Sequence, residues 1–259
     1  HLIGGEGDDT LILAGSGDSI LDGGAGIDTF KVDLSNWTPS IETYPDPFDY
    51  DNNNGFVYKV NLEEQFAGSK FDPDAKNNDT LIDIENIDYT GPYNTELTGD
   101  ANNNVIISGS GNDILTGGAG DDTLNAGSGD DHLIGGKGND TLILGGSGDS
   151  ILDGGEGVDT FKVDMSHYVP PQDDPNFTYL TNLSTGFAGS LNNPQHVNND
   201  TLINIENIEY AGSISAHLYG DEGDNFIFGG SGADRLYGGD GNDILKPWEG
   251  DDTVYGEAG

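Results

Sequence analysis

Residues 117–143 read GGAGDDTLN, AGSGDDHLI and GGKGNDTLI, three nine-residue units laid end to end without a gap. Each has glycine at positions 2 and 4, aspartate at position 6 and leucine at position 8. Self-similarity at a fixed short period is the signature of a solenoid, in which each unit buries its apolar side only by stacking on neighbours. One inward side chain per nine residues cannot cover a helix face. It suits a very short strand whose middle residue points into a thin core while its neighbours point out.

Working outward, the same frame places fourteen units: three from Gly4 to Lys31, seven from Gly99 to Lys162 and four from Gly220 to Tyr255, with one extra residue (Leu13, Leu144) at equivalent points. Position 8 is apolar in every one: Leu11, Leu21, Phe30, Ile106, Leu115, Leu124, Leu133, Leu142, Leu152, Phe161, Ile227, Leu236, Leu245 and Val254. Position 4 is glycine in all but one unit (Asn102), and glycine dominates positions 1 and 2, as expected where the backbone takes positive φ or approaches a ligand closely. Position 6 is aspartate in ten units: Asp9, Asp28, Asp113, Asp122, Asp131, Asp140, Asp159, Asp234, Asp243 and Asp252. Ser19, Asn104, Ser150 and Asn225 are the exceptions.

If two units make one flattened coil, unit n stacks on unit n+2 at about 4.8 Å and the aspartates fall into columns. Unpaired, such columns would repel severely. The composition sharpens the point. With 47 acidic against 8 basic side chains, the formal net charge is -39, so cations are the expected partners and nucleic acid is excluded. A hard cation between successive turns would take carboxylate oxygens from two aspartates and carbonyls from the glycine-rich backbone, which suits Ca²⁺ with its six or more oxygen ligands. Mg²⁺ asks for stricter octahedral geometry, and zinc and copper lack their cysteine and clustered histidine ligands. There is no cysteine, so no disulfide contributes. No apolar run is long enough for a membrane helix. Glycine- and aspartate-rich sequence can also be plain turn or disordered linker, but neither demands an apolar residue at every ninth position.

GGEGDDTLI (from Gly4), GGAGDDTLN (from Gly117) and the units around them resemble the haemolysin-type calcium-binding, or RTX, nonapeptide-repeat family. The resemblance implies an all-β, right-handed parallel β-roll, a β-solenoid here broken by two irregular interrupting segments. It implies several calcium ions held by the position-6 aspartate side chains and by turn carbonyls at positions 1 to 4, alternating between neighbouring ions. Those carbonyls belong to Gly4, Gly5, Glu6 and Gly7; Gly109, Ser110 and Gly111; Gly117, Gly118, Ala119 and Gly120; Gly127, Ser128 and Gly129; Gly135, Gly136, Lys137 and Gly138; Gly154, Gly155, Glu156 and Gly157; Gly229, Gly230, Ser231 and Gly232; and Gly238, Gly239, Asp240 and Gly241. It further implies type I secretion as an unfolded chain that folds in external calcium. Sites at Ser19, Ser150, Asn104 and Asn225 are expected to be weaker or absent. Asp18, Asp149, Asp79, Asp200, Asp49 and Asp51 are weaker metal candidates.

A longer duplication overlies the repeat. Leu2 to Ser35 matches Leu133 to Ser166, and NNDTLIDIENIDY (Asn77 to Tyr89) matches NNDTLINIENIEY (Asn198 to Tyr210). The chain divides into roll runs at 1–31, 99–162 and 220–259, with interrupting segments at 32–98 and 163–219; the solenoid is expected to resume near 78, with Leu81, Ile84, Ile87, Leu202, Ile205 and Ile208 lining its core. Both ends fall inside the repeat, which suggests a segment of a longer array. The NL…FAGS stretches (Asn61 to Ser69, Asn182 to Ser190) resemble connecting segments of large secreted RTX proteins. The loops before them carry Trp37, Tyr44, Phe48 and Tyr50, which would stack on a glycan or anchor a protein partner, or else simply cap the open edge of the roll. Asp49, Asp51 and Asn53 begin like an EF-hand, but glycine arrives late (Gly55) and Val60 stands where glutamate belongs.

No enzyme is expected. The histidines are scattered, Gly-Ser-Gly triplets such as Gly15-Ser16-Gly17 are turn positions, and the repeat itself explains the paired carboxylates. The leading expectation is a calcium-stiffened spacer in a large secreted or surface-displayed protein of adhesin or surface-layer type. The alternatives are the accessory and secretion region of an extracellular protease, lipase or polysaccharide-modifying enzyme, and a glycan-binding module.

Overall fold

In a computed structural model of the chain, which describes residues 1–13, 18–37, 56–69, 78–169, 177–191 and 199–259, two long sheets lie face to face. One has 15 strands and the other 10, and the chain passes from one to the other with almost every unit. Strand Ile114–Ala119 of the longer sheet leads through a turn to Thr123–Asn125 of the shorter, and a second turn returns to His132–Lys137. Two units therefore form one coil. The strand of unit n pairs in parallel with that of unit n+2, so that Leu115 sits beside Leu133 and Leu124 beside Leu142. This is a parallel β-roll.

The position-8 side chains form two columns that face each other across the thin interior. In the shorter sheet Ile106, Leu124, Leu142, Phe161, Ile208 and Ile227 stand in register, all with no exposed surface. Each such burial contributes about 1.5–3 kcal/mol. The minimal x-U-x strand occurs in both sheets, as Thr123–Asn125 in the shorter and Arg235–Tyr237 in the longer. In the central coils the strands of the longer sheet run on into the next unit, as in Ile114–Ala119 with its two glycines.

The two expected reasons for glycine, positive φ and close approach, separate by position. Gly118 and Gly120, positions 2 and 4 of their unit, have φ of +118° and +111°, a region L side chains avoid, whereas Gly117 at position 1 does not take positive φ. Position 1 needs glycine for space, as the metal centre shows.

The described parts of the interrupting segments are regular structure. Strands Val57–Asn61 and Phe66–Ser69 form an antiparallel hairpin within the longer sheet; its second strand pairs antiparallel with Asp79–Ile82, its first parallel with Asn94–Thr98. Tyr179–Asn182 and Phe187–Ser190 repeat this in the second copy. The shorter sheet has no matching rungs, because Asn86–Thr90 pairs directly with both Thr29–Asp33 and Val105–Ile107. Two extra rungs on one side alone open the interior into a wedge, and aromatic rings fill it. Tyr58 stacks on Tyr89 at 6.0 Å and Tyr179 on Tyr210 at 5.7 Å. Tyr89, Tyr210, Phe30 and Phe161 are the largest fully buried side chains, and Leu81, Ile84, Ile87, Leu202, Ile205 and Ile208 are buried around them.

Candidate metal centre

The turns stack into two columns. The first edge, where the chain passes from the longer to the shorter sheet, carries at position 6 Asp9, Asp28, Glu85, Asn104, Asp122, Asp140, Asp159, Glu206, Asn225 and Asp243. The second edge carries Ser19, Asp79, Thr95, Asp113, Asp131, Ser150, Asp200, Ala216, Asp234 and Asp252. The ten sequence-assigned aspartates are thus brought into two ladders.

One oxygen has a fixed task in nine of the ten aspartates, all but Asp9 of the first coil. Asp122 N–H donates to Asp140 Oδ1 at 2.8 Å, Asp140 N–H to Asp159 Oδ1 at 2.7 Å, and Asp113 N–H to Asp131 Oδ1 at 2.8 Å. Asp9, Asn104, Thr95, Asn225, Ala216 and Asp234 donate in the same way to Asp28, Asp122, Asp113, Asp243, Asp234 and Asp252. A second ladder at position 5 runs in the opposite sense, as where Asn139 N–H donates to Asp121 Oδ1. These bonds fix the carboxylate planes.

The other oxygen is left over. In nine of the ten, all but Asp252, Oδ2 is buried and has no hydrogen-bond partner. A buried charged oxygen without a partner costs several kcal/mol, so it either takes up a proton or meets a cation. On the first edge a carbonyl faces it across the space that a Cβ on the position-1 glycine would fill. A Cβ on Gly117 would lie 2.3 Å from Asp122 Oδ2 and 2.6 Å from Gly135 O. On Gly135 it would lie 2.4 Å from Asp140 Oδ2 and 2.5 Å from Gly154 O, and on Gly4 2.6 Å from Asp9 Oδ2 and 2.5 Å from Gly23 O. Position-1 carbonyls therefore point toward the preceding coil. Those at positions 2 and 4 point toward the following one, since Gly118 O and Gly120 O approach Gly136 and Gly138. On the second edge position 1 varies: Ser108 and Ala126 carry their own Cβ, and Ser108 Oγ donates to Ala126 O, whereas Gly229 keeps a looser cradle in which a Cβ would lie 3.0 Å from both Asp234 Oδ2 and Pro247 O.

The donor set fits a hard cation. It consists of oxygens alone, and among the described residues no group of three or more His, Cys, Asp or Glu side chains converges. Most donors must then be carbonyls, which suits the flexible, high-coordination sphere of Ca²⁺. The family model for the RTX calcium-binding nonapeptide repeat, four copies long, matches residues 1–30, 89–124, 107–142, 142–162, 210–245 and 248–259, together more than half of the chain. The chain belongs to the RTX calcium-binding nonapeptide-repeat family. It is a calcium-binding repeat module, and its matches lie in the roll runs while most of each interruption falls outside them. No curated protein matches it significantly.

The electrostatics of the RTX ladder follow from burial. Removal from water pushes Asp122 and Asp131 up to about 7 and Asp159 and Asp234 up to about 6, against the backbone hydrogen bonds that pull them down, with neighbouring carboxylates adding to the rise. Asp113 and Asp140 are raised for the same first reason. Among the weaker candidates, Asp79 and Asp200 are buried ladder members whose Oδ1 accepts from Ser19 N–H and Ser150 N–H, and burial raises both, Asp200 to about 7. Asp18 and Asp149 sit in the exposed position-5 ladder, accepting from Asn78 N–H and Asn199 N–H. At Asn104 and Asn225 nothing is left over. Each Oδ1 accepts from the backbone of its own turn (Asp100, Asp221), and each Nδ2 donates to the carbonyl of Glu85 or Glu206.

Tyr44, Phe48, Tyr50, Asp49 and Asp51 lie outside the described residues. Trp37 is 40% exposed and packs on Phe56 and Tyr93, with ring centroids 4.7 and 5.6 Å away, while Tyr93 Oη donates to its carbonyl. It covers the end of the aromatic wedge. Glu85 and Glu206 are the site residues that the nonapeptide frame misses: Glu85 Oε2 accepts from Asp28 N–H and Glu206 Oε2 from Asp159 N–H, both at 2.7 Å. The signal was present in the duplicated IENI, where a shortened turn brings an acid just before the next apolar position.

Proposed function

We propose that this calcium-binding module is a non-catalytic spacer within a large secreted or surface-displayed protein of adhesin or surface-layer type, exported unfolded by type I secretion and folded by external calcium. The observation that carries the reading is the ladder of buried Oδ2 atoms without partners. Their carboxylates, that of Asp9 apart, hold the amides of the neighbouring turns and face a cation, which supports a structural rather than a catalytic reading. Among the described residues no helix is long and apolar enough to cross a membrane. The net charge of -39 makes the metal-free chain self-repelling, so export as a coil and folding at millimolar calcium are two sides of one device.

A spacer has a length that calcium sets. Fifteen rungs at about 4.8 Å give a rod of about 70 Å with a radius of gyration of about 20–25 Å, against about 56 Å for an unfolded chain of this size. Small-angle X-ray scattering with calcium and with chelator tests this; equal radii in both conditions would refute the calcium-set rod. A catalytic domain preceding the segment in its reading frame would favour the secretion region of an enzyme instead.

A further inference from the structure

The interruptions look like places where the ladder should stop, because the nonapeptide frame is lost there. The first edge says otherwise. A Cβ on Gly23 would lie 2.6 Å from Asp28 Oδ2 and 2.1 Å from the carbonyl oxygen of Asp83. On Gly154 it would lie 2.6 Å from Asp159 Oδ2 and 2.2 Å from the carbonyl oxygen of Asn204. These are the spacings of the regular cradles at Gly117 and Gly135, with the glycine carbonyl replaced by one from the interrupting segment. Asp28 and Asp159 have no exposed surface, and the Oδ2 of each is buried without a partner.

The segment is shaped for this. Asp83 and Asn204 take φ of +47° and +50°, a left-handed conformation uncommon for residues other than glycine. Side chains differ between the copies; the carbonyl does not. Glu85 and Asn86 N–H both donate to Asp28 O, as Glu206 and Asn207 N–H do to Asp159 O. Glu85 and Glu206 then reach back to the Asp28 and Asp159 amides, replacing Oδ1 of the aspartate that the shortened turn lacks. The next rung is closed differently. The carboxamides of Asn104 and Asn225 are satisfied within the protein, and no oxygen there is orphaned.

We propose that at each of the two interruptions the preceding roll block ends on a calcium ion seated between the roll and the interrupting segment, held by Asp28 Oδ2 with Asp83 O at the first and by Asp159 Oδ2 with Asn204 O at the second, and that the roll restarts on an ion-free carboxamide rung at Asn104 or Asn225. The proposal rests on the calcium reading above. In it the ions clamp the inserted hairpin segments onto the roll, so calcium orders the interruptions as well as the repeats.

The test is a count of bound ions. Native mass spectrometry of the full chain at saturating calcium is expected to show two fewer ions for the double variant Asp28→Asn, Asp159→Asn than for the wild type, because asparagine keeps the Oδ1 acceptor and removes the charge. Equal counts on a calcium-loaded wild type overturn this proposal alone; a wild type that binds no calcium overturns the calcium reading with it. Should the variant fail to fold by circular dichroism, anomalous difference density from crystals of the calcium-loaded wild type decides. Peaks beside Asp28 and Asp159 support the proposal, and peaks at Asp122 and Asp140 without them overturn it.

Discussion

Adding one methyl group at Gly135 fills the cradle while leaving every ligand atom in the chain. The new Cβ would meet Asp140 Oδ2 at 2.4 Å and Gly154 O at 2.5 Å, well inside any tolerated contact. Asp140 cannot swing away, since its Oδ1 holds the Asp122 amide at 2.8 Å, and Gly154 lies in the neighbouring strand Ile151–Glu156. Because Gly135 does not take positive φ, alanine brings no backbone strain, unlike Gly136→Ala at φ +113°. The steric cost is that of an overpacked core, about 1–3 kcal/mol. Loss of an ion held at a hundred times its dissociation constant removes about 2.7 kcal/mol more. Since coils of a solenoid couple only to their neighbours, the loss of roughly 4–6 kcal/mol is local. Hydrogen exchange at saturating calcium is expected to show faster exchange in 132–156 and native mass spectrometry one ion fewer, with 220–259 unaffected. Ala126→Gly on the second edge, where a Cβ already exists, is the matched control. A Gly135→Ala chain with unchanged exchange and an unchanged ion count would refute the cradle.

Protons and calcium compete for the same oxygens. Asp122 and Asp131 at about 7, and Asp159 and Asp234 at about 6, lie above the unfolded value of about 3.9, so the metal-free fold binds more protons than the coil. Its stability is then fullest below about pH 4 and is lost as pH rises through 6 to 7, whereas bound calcium replaces the protons and reverses the trend. Circular dichroism of the metal-free chain is expected to show β structure increasing from pH 7 to 4.5 and calcium affinity falling over the same range; a flat metal-free signal contradicts this. In the core, Leu124→Ala removes a side chain with no exposed surface between Ile106 and Leu142 and is expected to cost about 2–5 kcal/mol, read as a lower urea midpoint at saturating calcium. An unmoved midpoint would show that the position-8 column does not hold the coils together.

Much of this architecture is legible from one side chain in nine. Leu124 and Leu133 fix the strands, Asp122 and Asp140 fix the column, and the spacing of eighteen residues between stacked partners such as Leu115 and Leu133 follows from two units per coil. The hairpins were not legible as such. VYKVN and FAGS are short and their turn at Leu62 to Gln65 carries no glycine; the bend is set by Asn61 Oδ1 accepting from Glu64 N–H, by Gln65 N–H donating to Leu62 O and by Gln65 at φ +55°. The sequence leaves two reasons open for the glycine at position 1, positive φ or close approach, and the choice between them appears only once Asp122 Oδ2 and Gly135 O are seen to face each other. Glu85 and Glu206 escaped because a contracted turn, with one more methylene in the acid, breaks the nine-residue frame while keeping the hydrogen bond.

The account's central claim is that the buried Oδ2 atoms are made tolerable by calcium, so that fold and metal are one equilibrium. A calcium titration of the intact chain at pH 7, followed by far-ultraviolet circular dichroism together with calorimetry, tests it most directly. The account predicts a largely disordered chain in chelator and a cooperative rise in β signal that tracks ion uptake. The same β content with and without calcium would contradict it.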